Sequence, residues 1–133
     1  MRGAVMGLDM CVYAVREVPP SLVDFELPRV AFEQPLAPKY LHTWRKHWNL
    51  HRWMERLYRE KGGASTNFNL VFMLLTKEDL DRLEADVKAG LFPAFWTTRP
   101  DADAIQAEID MEFIAKARSA LSAGLYLVYS ASH

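Results

Sequence analysis

"NFNLVFMLLTKEDLDRLEADVKAG", residues 67–90, changes its periodicity part-way along, and that change decides the fold class. The run 67–76 is nearly continuously apolar, of strand length and flanked by turn residues, which predicts a central strand. The next residues turn helical. Thr76 can cap a helix, Asp79 stands at its third position, and Leu80, Leu83 and Val87 form one apolar stripe before Gly90 stops it.

Working outward, "LDMCVYAVR" at 8–16 is dense in β-branched and aromatic residues and predicts another strand. Downstream, a helix over about 102–122 is expected to bury Ile105, Ile109, Phe113, Ile114, Ala117 and Leu121. Gly124 stops it, and "LYLVYSA" then closes the chain as a strand. Five of the seven prolines lie between Pro19 and Pro38, so this stretch reads as an extended excursion with a short edge strand around Asp24–Leu27. Its apolar residues suit a segment lying across the domain rather than a solvated linker. A further helix is expected from about Pro38 to Lys61, stopped by Gly62 and Gly63. The order β-(extended loop)-α-β-α-α-β predicts an α+β fold: a small, mainly antiparallel sheet of three to four strands with three helices packed against it.

The chain has 133 residues, half of them hydrophobic and a quarter charged, which fits one globular domain over 1–133. No stretch has the roughly 18 uninterrupted apolar residues of a membrane span, and Asp9 interrupts the N-terminus as a signal peptide. The single cysteine, Cys11, cannot form an internal disulfide and suits a reducing, cytoplasmic setting; it is expected to be buried in its strand. The formal net charge of −1 hides an asymmetry. Residues 39–61 hold seven basic residues against Glu55 and Glu60, whereas residues 77–118 hold ten acids against six bases. A molecule with a basic and an acidic side suits protein partners at least as well as nucleic acid, whose binders usually carry a strong positive charge.

The basic stretch contains "TWRKHWNLHRW", 43–53, with three of the four tryptophans. On a helical wheel Leu50, Trp53, Met54 and Leu57 face the sheet, with Tyr40, Trp44, His47, His51 and Tyr58 in the neighbouring stripe. Arg45, Arg52, Arg56 and Arg59 take the far face, and Trp48 falls among them. Three readings follow. Trp48 and the arginines, with Phe95 and Trp96 from the loop "LFPAFWTTRP", have the composition of protein-interface anchors. The same face, with Arg45, Arg52, Arg59 and the Trp48 ring, could meet phosphates and stack a base, with Arg45, Lys46, Asn49 and His51 as the candidate nucleotide-binding set. His47 and His51, four apart, could share a metal ion, although the glutamate that a metalloprotease helix carries after its first histidine is here Trp48. No phosphate-binding glycine loop or nucleophile elbow is present. Asp9, Glu108, Asp110 and Glu112 could supply paired carboxylates, but acids on a helix surface are usually solvated. No catalytic residue and no cofactor is assigned.

Three motifs, "MGLDM" at 6–10, "WRKxxNxHxW" at 44–53 and "EFIAKARSALSAGLYLVYSAS" at 112–132, resemble a family of small uncharacterised phage and bacterial proteins. Position by position, that family's recurrent helix residues fall on Trp44, Arg45, Lys46, Asn49, His51 and Trp53. The chain departs from the pattern at Cys11, where tyrosine is usual, and in its last residues, Ala131 to His133. The resemblance implies Met6 as the natural initiator, with 1–5 an upstream extension. It also implies a mobile-element setting, in which small proteins often occupy a host protein or sequester a nucleotide. The expectation is therefore an accessory protein that acts by binding and inhibits a host defence complex through Arg45, Trp48, Arg52, Arg59, Phe95 and Trp96. Nucleotide or nucleic-acid binding is the alternative, and a metal-dependent hydrolase using His47 and His51 the second.

Overall fold

Residues 9–15, "DMCVYAV", alternate between the two sides of a pleated strand: Met10, Val12 and Ala14 are buried on one side, while Asp9, Cys11 and Tyr13 are exposed or half-exposed on the other. In the computed structural model, which describes residues 7–27, 39–94 and 97–133, this strand, β1 (Asp9–Val15), lies inside a four-stranded sheet. It pairs with β2 (Lys39–Arg45) on one side and β4 (Tyr126–Ser132) on the other. The short β3 (Met73–Leu75) completes the order β2-β1-β4-β3, and every neighbouring pair is antiparallel. Helices α1 (Trp48–Glu60), α2 (Lys77–Lys88) and α3 (Ala102–Ser122) complete the α+β fold.

The inner face of the sheet, with Met10, Val12, Trp44, Met73, Leu75, Leu127 and Tyr129, forms one core with Leu50, Met54 and Leu57 of α1, Leu80 and Leu83 of α2, and Phe113 and Ile114 of α3. Burying each such side chain stabilises the fold by roughly 1.5–3 kcal/mol. The outer face holds a smaller cluster of Val15, Phe25 and Val128, with Leu27, Phe72, Leu74 and Tyr126 packed beside it. Of the excursion expected to lie across the domain, Phe25 and Leu27 pack on this face, and residues 28–38 lie outside the described residues. The edge strand expected around Asp24–Leu27 is reduced to one bridge, Val23 to Met73, flanked by the hydrogen bonds Asp24 N–H to Phe72 O and Leu74 N–H to Leu22 O.

The α2 start follows the sequence closely. Thr76 caps it, with Asp79 N–H donating to Thr76 Oγ1 and Thr76 N–H donating to Asp79 Oδ2. Lys61, just past α1, also reaches Asp79 in a nearly buried ion pair, so the end of one helix is tied to the start of the next.

Four expectations need correction. The helix expected from Pro38 begins only at Trp48, and the residues before it form β2. "KYLHTWR" also fits a period of two, with Trp44 inward and Thr43 and Arg45 outward, and short aromatic runs satisfy both templates. Pairing with β1 settles it, and Lys46, in the left-handed region at φ 56°, breaks the chain between strand and helix. The run 67–76 supplies only three strand residues, at the edge of the sheet rather than its centre, because Phe68 and Leu70 also adopt left-handed backbone, at φ 48° and 59°. On α3 the buried stripe is rotated from the expected one. Phe113, Ile114 and Ala117 are buried as expected and Ile105 and Leu121 are half-buried, but Ile109 is exposed and Gln106 and Asp110 take the interior. Cys11 lies in its strand but is half-buried rather than buried. Residues 1–5 lie outside the described residues.

The turn after α1 sets a steric test. Tyr58 is fully buried; its hydroxyl donates to Asp24 and accepts from Ser65 N–H at 2.7 Å. A methyl group at Gly63 would come far inside van der Waals contact with three Tyr58 ring carbons. Gly63→Ala is expected to cost about 2–3 kcal/mol, in the range of overpacking substitutions, read as a lowered midpoint in urea unfolding.

Candidate functional site

The residues expected on one helix face are distributed over three environments. Arg45 ends β2, and its Nε lies 3.2 Å from Asp9 Oδ1 in an exposed ion pair. Lys46 is exposed at the break. Trp48 opens α1 half-buried, with its ring against those of His51 and His133 at 5.9 and 6.0 Å. Arg59 turns back on its own chain, donating to Ser65 O, Thr66 O and Glu55 while lying over the Tyr58 ring. Arg52 is exposed and makes no ion pair among the described residues. Phe95 and Trp96 lie outside the described residues.

The two histidines are recruited by different elements. His47, 1% exposed, lies with Nε2 3.0 Å from Asp110 Oδ2, and the other carboxyl oxygen accepts from Gln106 Nε2 at 3.1 Å. Asp110 is thus a core residue rather than a solvated surface acid. His51 is buried, with Nδ1 2.7 Å from the Tyr129 hydroxyl and its ring stacked on Phe68. One ring nitrogen of each is taken by a different element, His47 Nε2 by Asp110 of α3 and His51 Nδ1 by Tyr129 of β4. Among the described residues no group of three or more histidine, cysteine or acidic side chains could hold a metal ion. Of the residues considered for nucleotide binding, Arg45 and Lys46 are exposed, Asn49 donates to Pro93 O at 3.2 Å, and His51 is buried.

The feature the sequence reading missed lies on the outer face of the sheet. The Phe25 cluster covers the β3 half of that face. The half nearer β2 opens as a cleft of about 460 Å³, lined by Asp9, Cys11, Tyr13, Tyr40, Thr43, Arg45, Leu70, Ser130 and Ser132 among others. Register explains the assembly: Asp9 stands opposite Arg45 and Ser132, and Cys11 opposite Thr43 and Ser130, so their side chains share one face. The Tyr13 and Tyr40 rings pack at 4.9 Å, and burial followed by hydrogen bonding with Tyr40 and Cys11 pushes the Tyr13 phenol well above its ordinary range. Burial also raises the Cys11 thiol, which keeps it protonated near neutrality and poorly nucleophilic. The cleft therefore offers stacked phenols, hydroxyls, a protonated thiol and one ion pair, a surface suited to recognition.

Two exposed apolar residues flank this cleft. Tyr40 is 66% exposed and Leu70 69%. Leu70 is held in place by its backbone N–H, which donates to Ala131 O at 2.9 Å. The sequence did carry a signal for the cleft: Ser130 and Ser132 alternate with Tyr129 and Ala131, marking a polar outer face at the end of β4.

Comparison with known proteins found no matching family model, no matching curated protein and no matching solved structure. Among the described residues no helix is long and apolar enough to cross a membrane.

Burial, assisted by the charge of His133, lowers the His51 pKa from 6.5 to about 4. The unfolded chain thus takes up a proton at pH values where the folded protein resists it. The stabilisation is fully present above about pH 6.5 and is lost as the pH falls toward 4. Thermal unfolding is expected to show a lower Tm at pH 4.5 than at pH 7, with a smaller difference in His51→Gln.

Proposed function

We propose that this protein acts by binding another protein through the open cleft on the outer face of its sheet. Tyr13, Tyr40 and Leu70 are its apolar anchors, and the Asp9–Arg45 pair is its polar end. The observation that carries this reading is Leu70. A leucine in left-handed backbone costs about 1–2 kcal/mol, and at 69% exposure it recovers little of that through burial. Strain that local packing does not repay concentrates at functional sites. The cleft that Leu70 lines also holds Tyr13, Tyr40 and Arg45, and tyrosine and arginine are enriched at interface hot spots.

The motif resemblance supports placing this binding activity in a mobile-element setting, with inhibition of a host defence or other host complex as the outcome. Binding remains the mode expected from the sequence, while the contact surface moves from the α1 face to the sheet. Arg45 belongs to both. Trp48 and Arg52 belong to α1 and are not part of the cleft lining, so they would touch only a partner that extends past it.

Affinity capture from the source cells tests this, comparing the wild-type chain with Leu70→Gly and Arg52→Glu. Leu70→Gly should lower recovery of the specific partner at least tenfold. It should also raise stability in urea by about 0.5–1 kcal/mol, since relief of left-handed strain exceeds the added unfolded-state entropy of glycine. Arg52→Glu should reduce recovery less. Undiminished recovery with Leu70→Gly sinks the cleft reading.

A further inference from the structure

The two edges of the sheet are finished differently. Beyond β3, the segment around Val23 supplies a bridge and two backbone hydrogen bonds, so that edge is closed. Beyond β2, no described strand follows. The ladder shows which groups this leaves. Lys46 N–H donates to Leu8 O at 2.7 Å, which marks a hydrogen-bonded position between the two chains. Such positions alternate along an antiparallel pair, so Trp44 and His42 turn their amide groups toward β1, whereas Thr43 and Arg45 turn theirs away. Those outward groups make no hydrogen bond with the described residues. The Thr43 and Arg45 side chains meanwhile line the cleft, so a chain added at this edge would widen the same surface.

Charge selects the occupant. Residues 39–46, "KYLHTWRK", contain Lys39, Arg45, Lys46 and a histidine, with no acid. Asp9 Oδ1 lies 3.2 Å from Arg45 Nε, and Lys46 makes no ion pair among the described residues. Beneath the strand, α3 adds the balanced pair Lys116 and Glu112 at 3.5 Å. Two copies of β2 set side by side would bring two such basic segments together, and lysine on an edge strand is a common device against that pairing. An acidic strand meets no such repulsion.

We infer that β2 is a docking edge for an extended, acidic segment of a partner protein, which adds as a fifth strand through the backbone groups of Thr43 and Arg45 and sets a carboxylate against Arg45 and Lys46. This rests on the protein-binding reading and specifies the partner. Strand addition of this kind draws affinity from main-chain hydrogen bonds and selectivity from side chains.

The test uses the full chain and two synthetic peptides, one alternating glutamate with valine and threonine, the other with lysine replacing glutamate. In backbone amide NMR titrations the glutamate peptide should shift the Thr43 and Arg45 amides and slow their hydrogen exchange, with the lysine peptide at least tenfold weaker. Thr43→Pro removes an outward N–H that β1 does not use and should abolish binding. Lys46→Glu, which leaves the ladder intact, should reduce or reverse the charge preference. The inference is overturned by equal binding of both peptides, by no shifts at millimolar peptide, by shifts confined to α1, or by a β2-mediated dimer in sedimentation of the free protein. In the capture experiment, partner recovery indifferent to Thr43→Pro but lost with Leu70→Gly rejects the edge and keeps the cleft. The opposite pattern rejects the cleft and keeps the edge.

Discussion

The corner between β2 and α1 depends on a buried carboxyl group. Asp110 and His47 are each about 1% exposed, and the carboxyl oxygens are matched by the imidazole on one side and Gln106 on the other. A buried polar group left unmatched costs on the order of 1–3 kcal/mol or more, so the corner has few alternatives. Satisfying Asp110 requires the chain to leave β2 after Arg45, turn at Lys46 and deliver His47 to α3 before the helix begins. That requirement rotates α3 so that Ile109 is exposed while Gln106 and Asp110 go inside, and it sets the direction in which α1 departs.

The consequence for the surface is a division of labour between the two faces of the sheet. The inner face takes the helices and most of the aromatic mass, including Trp44, Trp53 and Tyr129. His51 is drawn into that interior by the Tyr129 hydroxyl. Among the described residues, Phe25 and its neighbours cover half of the outer face, and the other half, with its phenols, hydroxyls and ion pair, lines a cleft. The arginines that a helical wheel groups on one side are separated by this arrangement. Arg45 moves to the strand, Arg59 is engaged by the loop after its helix, and Arg52 stays exposed.

Much of the fold was legible in the chain. The strand at 8–16, the start and stop of α2, the extent of α3 and the closing strand follow from hydrophobic period, capping residues and glycine stops, all of which act over a few residues. The α+β class follows from their order. The conversion of residues 39–45 from the start of a helix to a strand was not legible, because a run mixing aromatic, threonine and basic residues fits both periods and Pro38 imitates a helix start. The cleft was legible only in fragments, such as the serines that alternate at the end of β4.

The sequence by itself determined which segments are amphipathic, where two of the three helices begin and end, and that a basic and an acidic half share one chain, since each depends on neighbouring residues alone. Only the tertiary structure decided that β1 lies inside the sheet, that Asp110 and His47 share a buried site, and that Leu70, beside β4, and Tyr40, on β2, line one cleft. Those outcomes depend on long-range pairing, in which a residue's role is set by the strand or helix that meets it. Pairing of β2 with β1 competes with the local helical preference of residues 39–47 and prevails, because it buries Trp44 against Phe113 and leaves Arg45 at the surface.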